Sequence, residues 1–350
     1  MDREQALKIL AGENHPIPAG QAVSAAYFEA SDGPGVARLF YSVYGDGYPI
    51  DTYYIPERLI EENRLGNIRS VVARTESGDV IAHVALYRSS PPNPGLFEHG
   101  VGLTHPAYRS TMAFFRASQL LMNLVGKDGV DAFFGETVCN HTVTQKLARH
   151  QKVAECAVEP ALMPAEAYLT EHSAQGRVGC LVFSQVMVDC HRIIYVPEIY
   201  RDQLAFILDG FKLDRELRPS REDMPRLGGE LRVSRFASAG VARCRVIKPG
   251  MDLDQKLDDL DLALRGEAYA LVQVFVDLGE PWSAVFVDML RKKGYSFCGL
   301  IPLWFGSDAL LLQKFYTDPG FGEMKILTER GRAIVELAQK DWETQAKACP

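Results

Sequence analysis

The sequence predicts a mixed α/β fold in two tandem domains, each a mixed, mostly antiparallel sheet with flanking helices. Three observations carry this. The chain has 350 residues, too many for one ordinary core and suited to two. In the first half, β-rich runs join through tight links early and alternate with helical runs later, which makes a mixed sheet. The second half then repeats part of that order, at a constant offset in numbering.

In order along the chain, Ala22 to Ala30 reads as a strand. Asp32-Gly33-Pro34 reads as a helix start, with Asp as the cap and Pro in the first turn. The helix runs from about Val36 to Tyr44, and Gly45, Gly47 and Pro49 break it. Pro56-Glu57-Arg58 opens a second short helix that stops near Gly66. Ile68 to Thr75 and Val80 to Tyr87 are β-rich and joined by Glu76-Ser77-Gly78-Asp79, a hairpin signal. Phe97 to Thr104 is the next strand, ended by His105-Pro106.

Ala113, Ala117, Leu120, Leu121 and Leu124 recur at helical spacing, and Gly126 and Gly129 end that run. A strand (Asp131 to Val138), a helix (about Thr142 to Gln151) and two strands (Val153 to Met163, Val178 to Val188) follow. In the second half Leu271 to Leu278 is a strand. Trp282, Phe286, Met289 and Leu290 form one helical face closed by Gly294. Phe297 to Trp304 and Ala309 to Phe315 are strands.

Arg149 to Pro164 set against Arg291 to Gly306, a shift of 142, matches Arg149 with Arg291, Cys156 with Cys298 and Pro160 with Pro302. The same order of strand, helix, strand and strand surrounds both segments. This predicts an internal duplication, with domains over 1–190 and 191–350.

The net charge of −7, with no block of Lys and Arg, argues against nucleic acid as the main partner. Met1 to Leu10 lacks the basic flank and apolar centre of a secretory leader, and no apolar run approaches the ~20 residues of a membrane span. Seven scattered cysteines without a C-x-x-C pair predict reduced thiols in a cytoplasmic protein. No paired histidine or cysteine spacing predicts a metal site.

The segment richest in chemistry is Glu98-His-Gly-Val-Gly-Leu-Thr-His-Pro-Ala-Tyr-Arg-Ser-Thr-Met-Ala-Phe. A strand runs into Pro106, a turn carries Tyr108-Arg109, and a long helix follows. This resembles the GNAT N-acetyltransferases, in which a strand ends in a V-x-P-x-Y-R segment and an R/Q-x-x-G-x-G/A loop opens the next helix. Gly135 to His141 resembles the family's next strand and the Asn-bearing start of the following helix. Val36 to Phe40 with Tyr44 resembles its first helix, so the likeness spans about Ala22 to Val188.

The resemblance implies acetyl-CoA or another acyl-CoA as co-substrate. The pyrophosphate would rest on Arg109, Ser110, Thr111, Met112, Ala113 and Phe114, on free N–H groups at a positive helix end. It implies that the backbone at Leu103 and Thr104 contacts pantetheine and polarises the acyl carbonyl, and that Asn140 opens the helix beside it. The base expected is Glu98, then Glu136 on the neighbouring strand, then His99. The acceptor would be a small-molecule or peptide amine. Asn140-His141-Thr142 reads as a helix cap.

Two positions depart from the family pattern. Met112 and Phe114 stand where it prefers glycine, and Ala148 stands where many relatives carry a tyrosine that protonates the thiolate. The second domain has no counterpart of the Tyr108-Arg109 turn. Its acidic run Asp252 to Asp261 reads as a solvated helix face, and Trp282 and Trp304 read as core. Two functions therefore stand side by side: an acyl-CoA-dependent N-acyltransferase, and a non-catalytic ligand-binding or regulatory protein that keeps the fold.

Overall fold

A computed structural model describes residues 1–164 and 176–348. Cys349 lies outside the described residues. The chain divides into two compact units, Met1–Phe133 and Phe134–Pro350.

Unit 1 opens with α1 (Arg3–Gly12), closed by a capping box in which Asp2 and Gln5 exchange hydrogen bonds. Its sheet is an antiparallel meander of β1 (Val23–Tyr27), β2 (Ile68–Thr75), β3 (Val80–Tyr87) and β4 (Leu96–Thr104). Between β1 and β2 lie α2 (Gly33–Tyr44) and α3 (Pro56–Arg64). α4 (Ala113–Met122) follows β4. Asp32 holds the cap position of α2, but its side chain makes no cap bond. The buried carboxylate instead takes two hydrogen bonds from Arg74, at 2.6 and 2.7 Å. Asp32 Oδ2 also accepts the Glu29 N–H at 2.7 Å, so the carboxylate serves the preceding turn and Arg74 rather than the first turn of α2.

The core of unit 1 lies under α2 and α3, where Phe40 stacks on Tyr53 (centroids 4.6 Å apart) beside Val36, Leu39 and Leu59. A smaller cluster of Ala73, Ile81, Ala82, Tyr108 and Ala113 sits under α4. Each core takes side chains from one face of the same strands, as a period of two dictates.

Unit 2 contains β5 (Ala132–Val138), α5 (Val143–Arg149), β6 (Ala154–Pro164), β7 (Arg177–Val186), β8 (Arg192–Val196), α6 (Arg201–Asp209) and β9 (Arg215–Pro219). It continues through β10 (Glu230–Phe236), β11 (Val241–Lys248), α7 (Leu253–Gly266), β12 (Leu271–Asp277), α8 (Ser283–Lys292), β13 (Ser296–Ile301), β14 (Ala309–Phe315) and α9 (Glu329–Ala348). The sheet order is β5-β7-β6-β13-β14-β12-β11-β10, mixed because β11 and β12 run parallel around α7. β8 and β9 form a separate parallel pair.

The order β5-β7-β6 is followed by its mirror, β13-β14-β12, and the two triplets join where Ala157 pairs with Gly299. Those two residues are 142 apart, the shift of the sequence match. Backbone geometry recurs at the same shift. Ala161 (φ 52°) recurs as Leu303 (φ 59°), Lys152 (55°) as Gly294 (85°), and Gly126 (83°) as Ala268 (58°). Left-handed φ is costly for a side chain other than glycine, so these positions are uncommon features to share.

Five strands separate β5 from β11, which in a flat sheet is about 29 Å at ~4.8 Å per strand. Glu136 on β5 nevertheless lies 3.2 Å from Arg243 on β11. The sheet of unit 2 is therefore strongly rolled, and Leu162, Cys180, Val241 and Leu271 pack inside the roll. Trp304 is core, stacked on Phe275 at 3.9 Å with a 4° interplanar angle, and Trp282 is buried as well.

The acidic run of α7 is more than a solvated face. Asp254 and Asp258 both pair with Lys293, and Asp261 pairs with Lys314 and accepts the Tyr316 hydroxyl. Leu253, Leu257 and Leu264 form the buried stripe of that helix.

Candidate functional site

In unit 1 the ladder between β3 and β4 slips once. Ala85 pairs with Gly100 and His83 with Leu103, so Val101 and Gly102 together face the single residue Val84. This is a β-bulge, and Val101 adopts φ 53° within it. Buried His83 fixes it from below, with Nδ1 2.9 Å from the Val101 carbonyl oxygen and Nε2 3.0 Å from Ser70 Oγ. Burial pulls the His83 pKa down to about 4, so the ring is neutral and donates from one nitrogen only.

The bulge takes Val101 and Gly102 out of register with β3, while Leu103 and Thr104 stay in it. Leu103 and Thr104, the expected pantetheine contacts, lie in register just after the bulge, and the sequence reading did not mark Val101 as its centre. The signal was present as Gly100-Val101-Gly102, since isolated glycines in a strand mark a bulge or a close approach.

After β4, His105 caps a single 3-10 turn over Pro106–Tyr108, accepting the Ala107 N–H. Tyr108 is buried and its hydroxyl donates to the Pro18 carbonyl at 2.5 Å, which anchors the turn. Thr111 Oγ1 donates to the Tyr108 carbonyl and accepts the Ala113 N–H. Arg109, Ser110 and Thr111 are exposed. Among the described residues the N–H groups of Ser110, Met112 and Phe114 have no acceptor. Three open N–H groups at the positive end of α4 can hold an anion.

The two bulky residues of this turn point different ways. Met112 is 55% exposed. Phe114 turns inward, with its ring against Gly102, where an added Cβ would meet Phe114 Cε2 at 2.7 Å. Only glycine at 102 lets the ring lie this close to the β4 backbone.

Glu98 faces an aromatic wall. Its cross-strand partner Tyr87 donates its hydroxyl to Glu98 Oε1. The phenols of Tyr48 and Tyr53 lie in the same field. Burial raises both pKa values, Tyr44 and Glu98 add to the rise at Tyr48, and Tyr48 and Glu98 add to that at Tyr53. His99, adjacent in the strand, is fully buried, and burial lowers its pKa to about 4, which makes it a weak base at neutral pH.

In unit 2, Glu136 is engaged by Arg243 at 3.2 Å inside the rolled sheet. The same Nη2 lies 3.4 Å from Glu159, Gln273 Nε2 donates to Glu159 at 2.6 Å, and Arg243 Nε donates to Gln273 at 2.7 Å. Burial raises the Glu159 pKa well above the carboxylate range, and the Glu136 charge raises it further. A neutral Glu159 spares the network a second buried carboxylate charge. Of the two carboxylates expected as base, Glu136 thus faces a guanidinium and Glu98 a phenol.

Asn140 precedes α5, and Thr142 holds its cap position, but the Thr142 side chain makes no cap bond; His141 Nδ1 accepts the Val143 N–H instead, at 3.3 Å. Ala148 is buried. Among the described residues no group of three or more His, Cys, Asp and Glu is placed to hold a metal, and no helix is long and apolar enough to cross a membrane.

No family model matches the chain, and no curated protein matches it. Solved structures do. The chain is similar to a ribosomal-protein-S5-alanine acetyltransferase from Vibrio fischeri, at 10% identity over 49% of this chain and 97% of that one, TM-score 0.39. It is similar to an N-acetyltransferase from Staphylococcus aureus, at 11% identity over 48% and 99%, TM-score 0.39. A Salmonella typhimurium structure solved with its cofactor acetyl-CoA aligns at 13% identity over 48% and 96%, TM-score 0.38.

Proposed function

We propose that the chain is an acyl-CoA-dependent N-acyltransferase of the GNAT type, transferring an acetyl group directly to the amine of a small molecule or peptide. The observation that supports this most is the sequence of devices in unit 1: a bulge at Val101 and Gly102, an anchored turn at Tyr108, and open N–H groups at the start of α4. In this reading Arg109 and the N–H groups of Ser110, Met112 and Phe114 hold the pyrophosphate. Thr111 shapes the turn, and Ala113 starts the helix. The β4 backbone between Val101 and Thr104 follows the pantetheine and polarises the thioester carbonyl.

Glu98 takes the first proton from the acceptor ammonium. The amine nitrogen bonds to the acyl carbon, the C–S bond breaks, and the sulfur leaves as a thiolate. The second proton, released as the amide forms, balances that thiolate. With Ala148 in place of a phenol, it arrives through solvent; a thiolate tolerates this because its conjugate acid is far stronger than an alcohol.

We also infer that the chain is a tandem pair of such domains over 1–190 and 191–350, the second without an anion-binding turn. The mirrored strand order and the shared left-handed positions support this.

One observation favours the regulatory alternative: the Phe114 ring covers the β4 backbone at Gly102. Acetyl-CoA titration by calorimetry, with thermal melts, separates the two. Binding raises Tm by linkage, and Arg109→Glu abolishes the rise without changing the ligand-free melt. No Tm shift and no heat at millimolar CoA refutes the enzyme.

A further inference from the structure

A cavity of about 230 Å³ lies in unit 2, between α5, the inner strands β5 to β7, and the segment leading into α9. The acyl-transfer reading touches it at Ala148 and uses neither of the charges on its wall. Its wall carries one cation, Arg149, and one anion, Glu155, together with the apolar side chains of Ala148, Val153, Leu181 and Phe183. Drug-sized ligands need about 300–1,000 Å³. This pocket suits something smaller, with both charges and an apolar body.

The two charges are not spent on each other. Among the described residues Arg149 makes no ion pair or hydrogen bond, and Glu155 makes no ion pair. Arg149 is exposed at the rim, whereas Glu155 is half-buried. Glu155 is held in place. Thr328 Oγ1 donates to its Oε1 at 2.8 Å and accepts the Gly331 N–H at 2.9 Å, so the cap of α9 also aims the carboxylate. Oε2 is left open to a donor. The opposite wall is equally fixed, since Gln145 donates to the Lys325 carbonyl and accepts the Leu327 N–H, both at 2.8 Å.

The matching arginine of the second half makes the contrast. Arg291 lies 142 residues on, and its guanidinium is neutralised by Asp341 at 2.7 Å and bonded to Tyr200. Arg149 has the same place at the end of its helix and no such partner.

We propose that this cavity binds a free α-amino acid with a small apolar side chain. The ligand carboxylate pairs with Arg149 in the bidentate geometry a guanidinium favours. Its ammonium donates to Glu155 Oε2. Its side chain rests on Val153, Leu181 and Phe183, and Ala148 leaves the room.

The test is calorimetric titration of the full chain, without CoA, by L-leucine, L-valine and glycine. N-acetyl-leucine and leucine methyl ester each keep one charge. The expected result is saturable binding of leucine or valine, with losses of at least about tenfold for glycine and for both blocked forms. Arg149→Gln and Glu155→Gln should each cost at least about tenfold with Tm unchanged. Ala148→Phe should abolish binding by filling the cavity. Exposed Arg149→Gln keeps the test decisive if a buried variant fails to fold. The proposal is overturned by the absence of heat at millimolar amino acid, by equal binding of the blocked forms, or by unchanged affinity in Arg149→Gln. Because CoA is absent from every arm, these outcomes do not depend on the acyltransferase reading.

Discussion

Gly102 and Phe114 are joined by one contact that a double-mutant cycle can weigh. A Cβ on Gly102 would sit 2.7 and 2.8 Å from Phe114 Cε2 and Cζ, well inside ordinary van der Waals contact. Gly102 does not have positive φ, so alanine is strained there only by the ring. Overpacking of this kind costs about 1–3 kcal/mol. Phe114→Ala alone should cost about 2 kcal/mol, below the ~3–5 of a fully buried phenylalanine because the ring is partly exposed. With the ring gone, Gly102→Ala should become stabilising by about 0.5–1 kcal/mol, the ordinary advantage of alanine over glycine in a strand. The coupling is then about 2 kcal/mol. All three tryptophans, Trp282, Trp304 and Trp342, lie in unit 2, so their fluorescence does not report on this site. Urea unfolding followed by far-UV circular dichroism, with hydrogen exchange of β3 and β4 amides, does. Additivity within about 0.5 kcal/mol would refute the packing argument. If the ring obstructs pantetheine, Phe114→Ala will also enlarge the Tm rise produced by acetyl-CoA.

Two further outcomes follow from buried groups. Glu159 is neutral in the fold but ionises in the unfolded chain near its ordinary value of ~4.3, so the unfolded chain binds fewer protons above that pH; stability falls as pH rises toward the raised folded pKa. Glu159→Gln keeps the contact to Gln273 and removes the titration, so its urea midpoint, read by tryptophan fluorescence, should fall less between pH 5 and 8 than the parent's; parallel profiles would refute a buried neutral acid. His83 has the opposite sign. Its folded pKa of about 4 lies below the unfolded ~6.5, so stability is lost as pH falls through that window, by about 3 kcal/mol at the acid end; His83→Gln should flatten the decline in circular dichroism melts of unit 1, and an unchanged slope would show the ring is not buried neutral.

Periodicity made most of the elements legible. The strands at 68–75, 80–87 and 309–315 and the helix under Ala113, Ala117 and Leu121 appear where alternation and helical spacing placed them. These signals are local. α1 was missed because its amphipathic stripe is short, with only Ala6 and Leu10 buried. β8 and β9 were missed because each is only five residues long, and β10 because its one alternating pair, Leu231 and Val233, is brief and its side chains are mostly exposed; β11 is longer and partly buried, and Arg243 and Arg245 interrupt its apolar run. The site was legible only as a segment. That Arg74 would pair with Asp32, that Arg243 would pair with Glu136, or that His83 would hold a bulge from the next strand are long-range contacts, and no spacing within one element encodes them.

The division between Phe133 and Phe134 falls inside the first proposed repeat, and the sheet of unit 2 explains why. β5, β6 and β7 fall in the first proposed repeat, yet β6 pairs with β13 and the three strands share a core with β12 and β14. Compactness follows the shared core. At the join, Gly299 has φ 132°, and a Cβ there would lie 2.4 Å from the Ala157 backbone. β6 and β13 thus approach closely where position 299 has no side chain. Arg291 clamps α9 through Asp341. Arg149 sits at the rim of a cavity, beside a carboxylate it does not touch. Exchanging the two fates is the sharpest consequence. Asp341→Asn should loosen α9, because Asp341 also accepts the Phe297 N–H and the Tyr200 hydroxyl. Arg149→Gln should leave the melt of unit 2 where it is.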